Sequence, residues 1–138
     1  MSLIVDANVA IKWFVDERDS DAARALLARP VRLIAPDVIF PELANVVWLK
    51  SRTGEIAPDQ RAAIIPQVKR MIELFVPAGE LAGRALDLSI TLDHPAYDCF
   101  YLALAERESG AVVTADRRFL ERIAGTAFAG LARPLSTA

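Results

Sequence analysis

The sequence predicts a three-layer α/β/α sandwich, with helices covering both faces of a mainly parallel central sheet of four to five strands. Two observations carry this. Short apolar runs rich in branched residues alternate with helical patterns from end to end, as strand–helix–strand crossovers require. Proline and glycine fall between these periodic segments, with no repeat, low-complexity tract or Ser/Gly-rich linker, so residues 1–138 read as one domain.

The candidate strands are Leu3 to Val5, Arg32 to Ala35, Leu74 to Val76 and Ala111 to Thr114. Between them, Asp21 to Ala28 and Phe40 to Leu49 carry apolar residues at helical spacing, and Pro58 suits a helix start ahead of Ile64, Ile65, Val68 and Ile72. Pro66 is expected to kink or divide that helix. Leu81 to Leu92 and Tyr97 to Glu108 form two more helices, the second stopped by Gly110, and Phe119 to Ile123 forms a short one. In such a fold a ligand crevice lies beyond the carboxyl ends of the strands.

Hydrophobic residues make up 54% of the chain, enough for one well-filled core. The opening MSLIVDANVAIKWFV is broken by Asp6 and Lys12 and lacks the frame of a signal peptide, so it reads as a buried strand followed by a helix. No run approaches the ~20 uncharged apolar residues of a membrane span. The lone Cys99 permits no intrachain disulfide and fits a core residue in a reducing, cytoplasmic setting. Sixteen Lys and Arg against eighteen Asp and Glu leave a net charge of −2, which excludes a protein that grips nucleic acid through its overall field. Phosphate must be held locally.

Most carboxylates are solvated surface groups, but four are placed otherwise. Asp6 follows Leu3-Ile4-Val5 and Asp116 follows Ala111-Val112-Val113-Thr114-Ala115, so both emerge at strand carboxyl ends. Asp98 precedes seven uncharged residues, Cys99 to Ala105, on a helix that must be mostly buried, and Glu42 lies in the apolar run Ile39 to Ala44 on a face shared with Asn45, Val46 and Leu49. Burying an ionised carboxylate without compensation costs several kcal/mol. Each also has a plain structural reading: Asp6, Asp98 and Asp116 as helix N-caps, worth about 1 kcal/mol apiece, and Glu42 as the partner of an arginine. Were they to converge, each pair about 4 Å apart would repel by ~4 kcal/mol at an effective dielectric near 20. A divalent cation removes that difficulty. All-oxygen ligation selects Mg2+ or Mn2+ over Zn2+, and one histidine with one cysteine makes a structural zinc site implausible; His94, before Pro95, reads as a loop residue. Carboxylate-held Mg2+ favours phosphate substrates and hydrolysis of a phosphodiester by activated water. No G-x-x-x-x-G-K-[ST] or G-x-G-x-x-G stretch is present to cradle a nucleotide cofactor.

Ile4-Val5-Asp6-Ala7-Asn8-Val9, Pro41-Glu42-Leu43-Ala44-Asn45-Val46, the run from Tyr97-Asp98 to Ala105, and Val113-Thr114-Ala115-Asp116-Arg117-Arg118-Phe119, in this order, resemble a PIN-domain ribonuclease of the VapC toxin type, from Leu3 to about Pro134. The resemblance implies a PIN-like fold and an Mg2+- or Mn2+-dependent endoribonuclease. It implies Asp6, Asp98 and Asp116 as metal-binding carboxylates, Glu42 as a further ligand or water-activating group, and Asn8 and Thr114 as polar support. Ala7 stands where many relatives carry a hydroxyl residue. It further implies an RNA substrate, a cognate antitoxin that blocks the cleft, and a homodimer. Trp13, Phe14, Trp48 and Leu49 could furnish an apolar interaction patch, with core packing as the competing use; Lys12, Lys50, Arg52, Arg117 and Arg118 are candidate RNA contacts, Lys12 and Arg117 foremost. The competing functions are a nuclease acting on DNA, a non-catalytic interaction module, and a phospho-acceptor signalling domain. The last lacks its paired early acids and the lysine that closes a late strand.

Overall fold

The computed structural model describes residues 1–138. Five strands, β1 (Ser2–Val5), β2 (Arg32–Pro36), β3 (Leu74–Val76), β4 (Ala111–Thr114) and β5 (Ala132–Pro134), form one sheet in the order β3-β2-β1-β4-β5. Every pairing is parallel, with Leu3 beside Leu33 on one side and Ala111 on the other. The helices are α1 (Ala7–Ala10, continued by a 3-10 turn over Ile11–Trp13), α2 (Ser20–Leu26), α3 (Ile39–Arg52), α4 (Pro58–Met71), α5 (Ala78–Leu92), α6 (Ala96–Arg107) and α7 (Arg117–Ile123).

Strand alternation divides the interior into two cores. Leu3, Val5, Leu33, Ala35 and Val113 face α1 to α4, together with Ile39, Leu43, Ile64 and Val68. Ile4, Ile34 and Val112 face the opposite way, onto α5, α6 and α7 through Leu81, Leu88, Leu102, Leu104 and Phe119. This is the doubly wound, three-layer arrangement expected from the alternation of elements. The chain winds outward from β1 to β3 over one face, then crosses to β4 and β5 over the other. The strand order therefore reverses between β1 and β4, and their carboxyl ends, carrying Asp6 and Asp116, lie at the switch point where crevices form.

Four differences from the sequence reading have physical causes. β5 completes the expected four to five strands at a place no apolar run marked: it has only three residues, ends in Pro134 and sits at the sheet edge, where a missing N–H is tolerated. α4 runs on through Pro66 without dividing, because Pro66 and Ala62, whose carbonyl loses its partner, both lie on the solvent face while Ile64 and Val68 pack inward. The left-handed residue after α6 is Ser109 (φ 51°), not Gly110. Gly110 is needed instead for close approach, since a Cβ there would run into the Ser2 carbonyl oxygen of the adjoining strand. Trp13 is a core residue, its indole N–H donating to the Ala23 carbonyl at 2.9 Å, whereas Trp48 and Leu49 are exposed; the four-residue apolar patch is thus split. Cys99 is fully buried and its thiol is pushed up to about 11 by burial, as a core residue should be. No helix is long and apolar enough to cross a membrane.

Candidate active site

Three of the four singled-out carboxylates line one cavity of about 150 Å³: Asp6 from the end of β1, Glu42 from α3 and Asp98 from α6, with Ala7, Asn8, Asn45, Val46 and Tyr101 completing the wall. No lysine, arginine or histidine lines it. Asp116 opens instead into the adjoining cleft of about 560 Å³, which shares Asn8 and Val46 with the first and adds Ile11, Lys12, Glu17 and Lys50.

Each acid is fastened by a donor of its own. Asp6 caps α1, accepting from the Val9 N–H at 2.9 Å, and Asp116 caps α7, accepting from the Phe119 N–H at 3.2 Å. The N-cap reading is correct for these two and does not exclude a site, because a cap spends only part of a carboxylate's acceptor capacity. Asp98 is not a cap. α6 begins at Ala96, which puts Asp98 third in its first turn, where its Oδ2 meets His94 Nε2 at 2.6 Å. Glu42 finds no arginine: buried Tyr101 donates its hydroxyl to Oε1 at 2.7 Å. Thr114, itself buried, accepts the Asp116 N–H at 3.0 Å, and its hydroxyl lowers the proton affinity of the Asp6 carboxylate at the end of the neighbouring strand. Asn8 is exposed at the rim shared by both cavities.

Crowding of acids marks the electrostatics. Burial pushes Asp6 up to about 7 against the pull of its Val9 and Thr114 hydrogen bonds, and the charges of Asp98 and Glu42 raise it further. Glu42 is likewise raised, by burial first and by Asp98 second, with Tyr101 opposing. Burial and then the neighbouring Glu42 and Asp6 keep the Tyr101 phenol protonated, a permanent donor. As oriented, no three His, Cys, Asp or Glu side chains stand close enough to grip one ion, since each carboxylate turns toward its own donor. The donor set nonetheless fits a hard divalent cation: carboxylate and amide oxygens from separate elements on one small cavity, with no basic side chain to neutralise them.

The candidate RNA contacts fare unequally. Lys12, only 10% exposed, donates to Glu17 Oε1 at 3.0 Å and the Arg18 carbonyl at 2.8 Å, and Lys50 donates to Glu17 Oε2 at 2.7 Å, so one carboxylate holds both ammonium groups in the cleft. Arg52 lies over the Trp48 ring at 5.0 Å. Arg117 and Arg118 are exposed, Arg117 on a further cavity of about 290 Å³ with Lys12 and Arg18. Tyr101 and His94 are the site-side residues that the sequence did not single out as such. The spacing of His94 and Asp98, four apart across Pro95, was the available signal for one; Tyr101, one turn after Asp98, was the signal for the other.

Comparison with known proteins bears on the family and the fold. The chain is 27% identical over 124 residues to Ribonuclease VapC3 of Pyrobaculum aerophilum, covering 88% of this chain and 95% of that relative. The fold is shared with a crystal structure of a P. aerophilum protein (TM-score 0.69, 19% identity, 99% of this chain and 85% of that one). It is also shared with a toxin–antitoxin complex from Klebsiella pneumoniae (TM-score 0.67, 16% identity, 96% of this chain and 97% of that one). The family model described as PIN domain matches residues 3–125, a span that holds all four acids, and the chain belongs to the PIN domain family.

Proposed function

We propose that this protein is an Mg2+- or Mn2+-dependent endoribonuclease, the toxin of a toxin–antitoxin pair, whose centre is built by Asp6, Glu42, Asp98 and Asp116. The observation that carries the reading is the cavity at the switch point, where Asp6, Glu42 and Asp98 meet with no basic residue among them. Likeness to a ribonuclease supports the reaction class, and the fold shared with a toxin–antitoxin complex supports an antitoxin partner. When bound, a divalent cation acidifies water and neutralises the charge that grows on a phosphodiester.

The chain's own residues supply the rest. Asp6, Asp98 and Asp116 hold the centre, and Asn8 and Thr114 support it, Thr114 by fixing the Asp116 backbone and favouring the ionised Asp6. Glu42 spends Oε1 on Tyr101 and keeps Oε2 for the centre, and its raised proton affinity suits a group that accepts a proton from attacking water. Attack of that water on phosphorus breaks a P–O bond and leaves one phosphate end and one hydroxyl end. Flanking nucleotides follow the larger cleft, where Val46 and Leu49 offer apolar surface and Lys12 and Lys50, sharing the one Glu17 carboxylate, leave a surplus of positive charge; Arg117 and Arg118 add phosphate contacts outside it. Exposed Trp48 and Leu49 beside this cleft suit an antitoxin segment that covers it, and exposed Leu86 and Ile90, one turn apart on α5, suit a homodimer in the cytoplasm.

The test is cleavage of tRNA, rRNA and single-stranded DNA by antitoxin-free protein, with Mg2+ or Mn2+ and with EDTA. RNA is cut only with metal, and Asp6→Asn and Asp98→Asn each lose roughly a thousandfold or more. Folded protein that cuts nothing with either metal supports the non-catalytic module instead.

A further inference from the structure

We infer that His94 is a positioning residue for Asp98, held in place by α7, and that the pair sets how Asp98 presents its carboxylate to a divalent cation; the inference rests on the metal-dependent reading above. His94 lies in the turn between α5 and α6, its side chain only 13% exposed, and its Nε2 takes up one oxygen of Asp98 at 2.6 Å. The carboxylate thereby loses its freedom to rotate and keeps the other oxygen for the cavity it lines.

The turn that carries this imidazole is fastened well beyond what a helix connection needs. Ser89 Oγ donates to the His94 carbonyl at 2.6 Å, and the His94 N–H returns to the Ser89 carbonyl at 3.2 Å. Arg122, on α7, donates to the Leu92 carbonyl at 2.6 Å and the Asp93 carbonyl at 2.9 Å, clamping the left-handed Asp93 (φ 50°). Phe119, buried on the same helix, packs its ring against the imidazole with centroids 5.4 Å apart. α7 is capped by Asp116. One short helix therefore carries one acid at its start and, through Phe119 and Arg122, the support of a second acid on α6. Hydrogen-bond partners of ligating carboxylates tune metal affinity by about tenfold to a hundredfold. If His94 served only to close the α5–α6 turn, its removal would lower stability and leave metal affinity alone.

Calorimetric titration of Mn2+ into the whole protein separates these, paired with the Mg2+ dependence of RNA cleavage. His94→Ala weakens Mn2+ binding by about tenfold to a hundredfold and raises the Mg2+ needed for half-maximal rate, while the rate at saturating Mg2+ largely recovers. His94→Gln, which keeps an N–H donor, restores most of the affinity. Arg122→Met, remote from the cavity, weakens Mn2+ binding in the same direction by a smaller factor, and it decides the matter if His94→Ala does not fold. Wild-type Mn2+ affinity in both His94→Ala and Arg122→Met would overturn the role of His94 alone. Wild-type protein that binds no Mn2+ would remove the metal-dependent reading itself.

Discussion

Asp6 concentrates the cost of the site in one residue. Its carboxyl, near 3.8 in an unfolded chain, titrates at about 7 in the fold, chiefly through burial. Between those values the folded protein binds the extra proton, so this group's contribution to stability falls as pH rises from about 4 to about 7. In metal-free protein Asp6→Asn, which can still cap α1 through its amide oxygen, is expected to gain stability relative to wild type at pH 8, on the order of 1–3 kcal/mol, with the gain vanishing at pH 4. Thermal melts of both proteins across that range check it. A divalent cation needs the ionised form, so its stabilisation of the wild type grows toward pH 8. At this scale much of the site was legible: an ionisable group directly after Leu3-Ile4-Val5, or before the uncharged run Cys99 to Ala105, is costly to keep there unless something binds it. What could not be read were partners distant in sequence, such as Tyr101 for Glu42, 59 residues away, or Lys50 for Glu17, 33 away. Their pairing is decided by how α3 packs, not by local pattern.

At the level of elements, helix periodicity located six of the seven helices to within a few residues, and α1, too short for periodicity, is the helix expected after the first strand. Local signals misled where the tertiary setting overrode them. Pro66 should interrupt α4, yet it lies on the solvent face where water can satisfy the Ala62 carbonyl. The accommodation still costs a helical hydrogen bond, so Pro66→Ala is expected to stabilise the protein by about 1–3 kcal/mol, offset in part by greater freedom of the unfolded chain, as read from urea unfolding. Gly110 looked like a helix stop and is in fact a contact between the α6–β4 turn and the backbone of Ser2. Gly110→Ala must push β1 and β4 apart, costing about 1–3 kcal/mol in the same measurement, and because both strands end in candidate ligands it should lower nuclease activity as well.

Over the whole molecule, fold and site are one consequence of strand order. Reversal between β1 and β4 opens the crevice, α3 and α6 supply an acid from opposite faces of the sheet, and α7 braces the far side. With a net charge of −2, the proposed RNA binding would rest on a few local cations, Arg117, Arg118 and the surplus positive charge of the Lys12–Glu17–Lys50 cluster. Binding of single-stranded RNA should therefore show a shallow salt dependence, a slope of about −1 to −3 in log K against log salt. Asp6 and Asp116 line adjoining cavities, and whether they serve a single centre, as proposed, is read from catalytic non-additivity. Metal-dependent RNA cleavage is measured for Asp6→Asn, Asp116→Asn and the double variant, each shown folded by its melting curve. Groups acting as a unit lose nearly as much singly as together, so each single variant should lose roughly a thousandfold or more and the double variant little beyond that. An Asp116→Asn protein that cuts RNA at the wild-type rate would rule out a shared centre and confine it to the cavity of Asp6, Glu42 and Asp98.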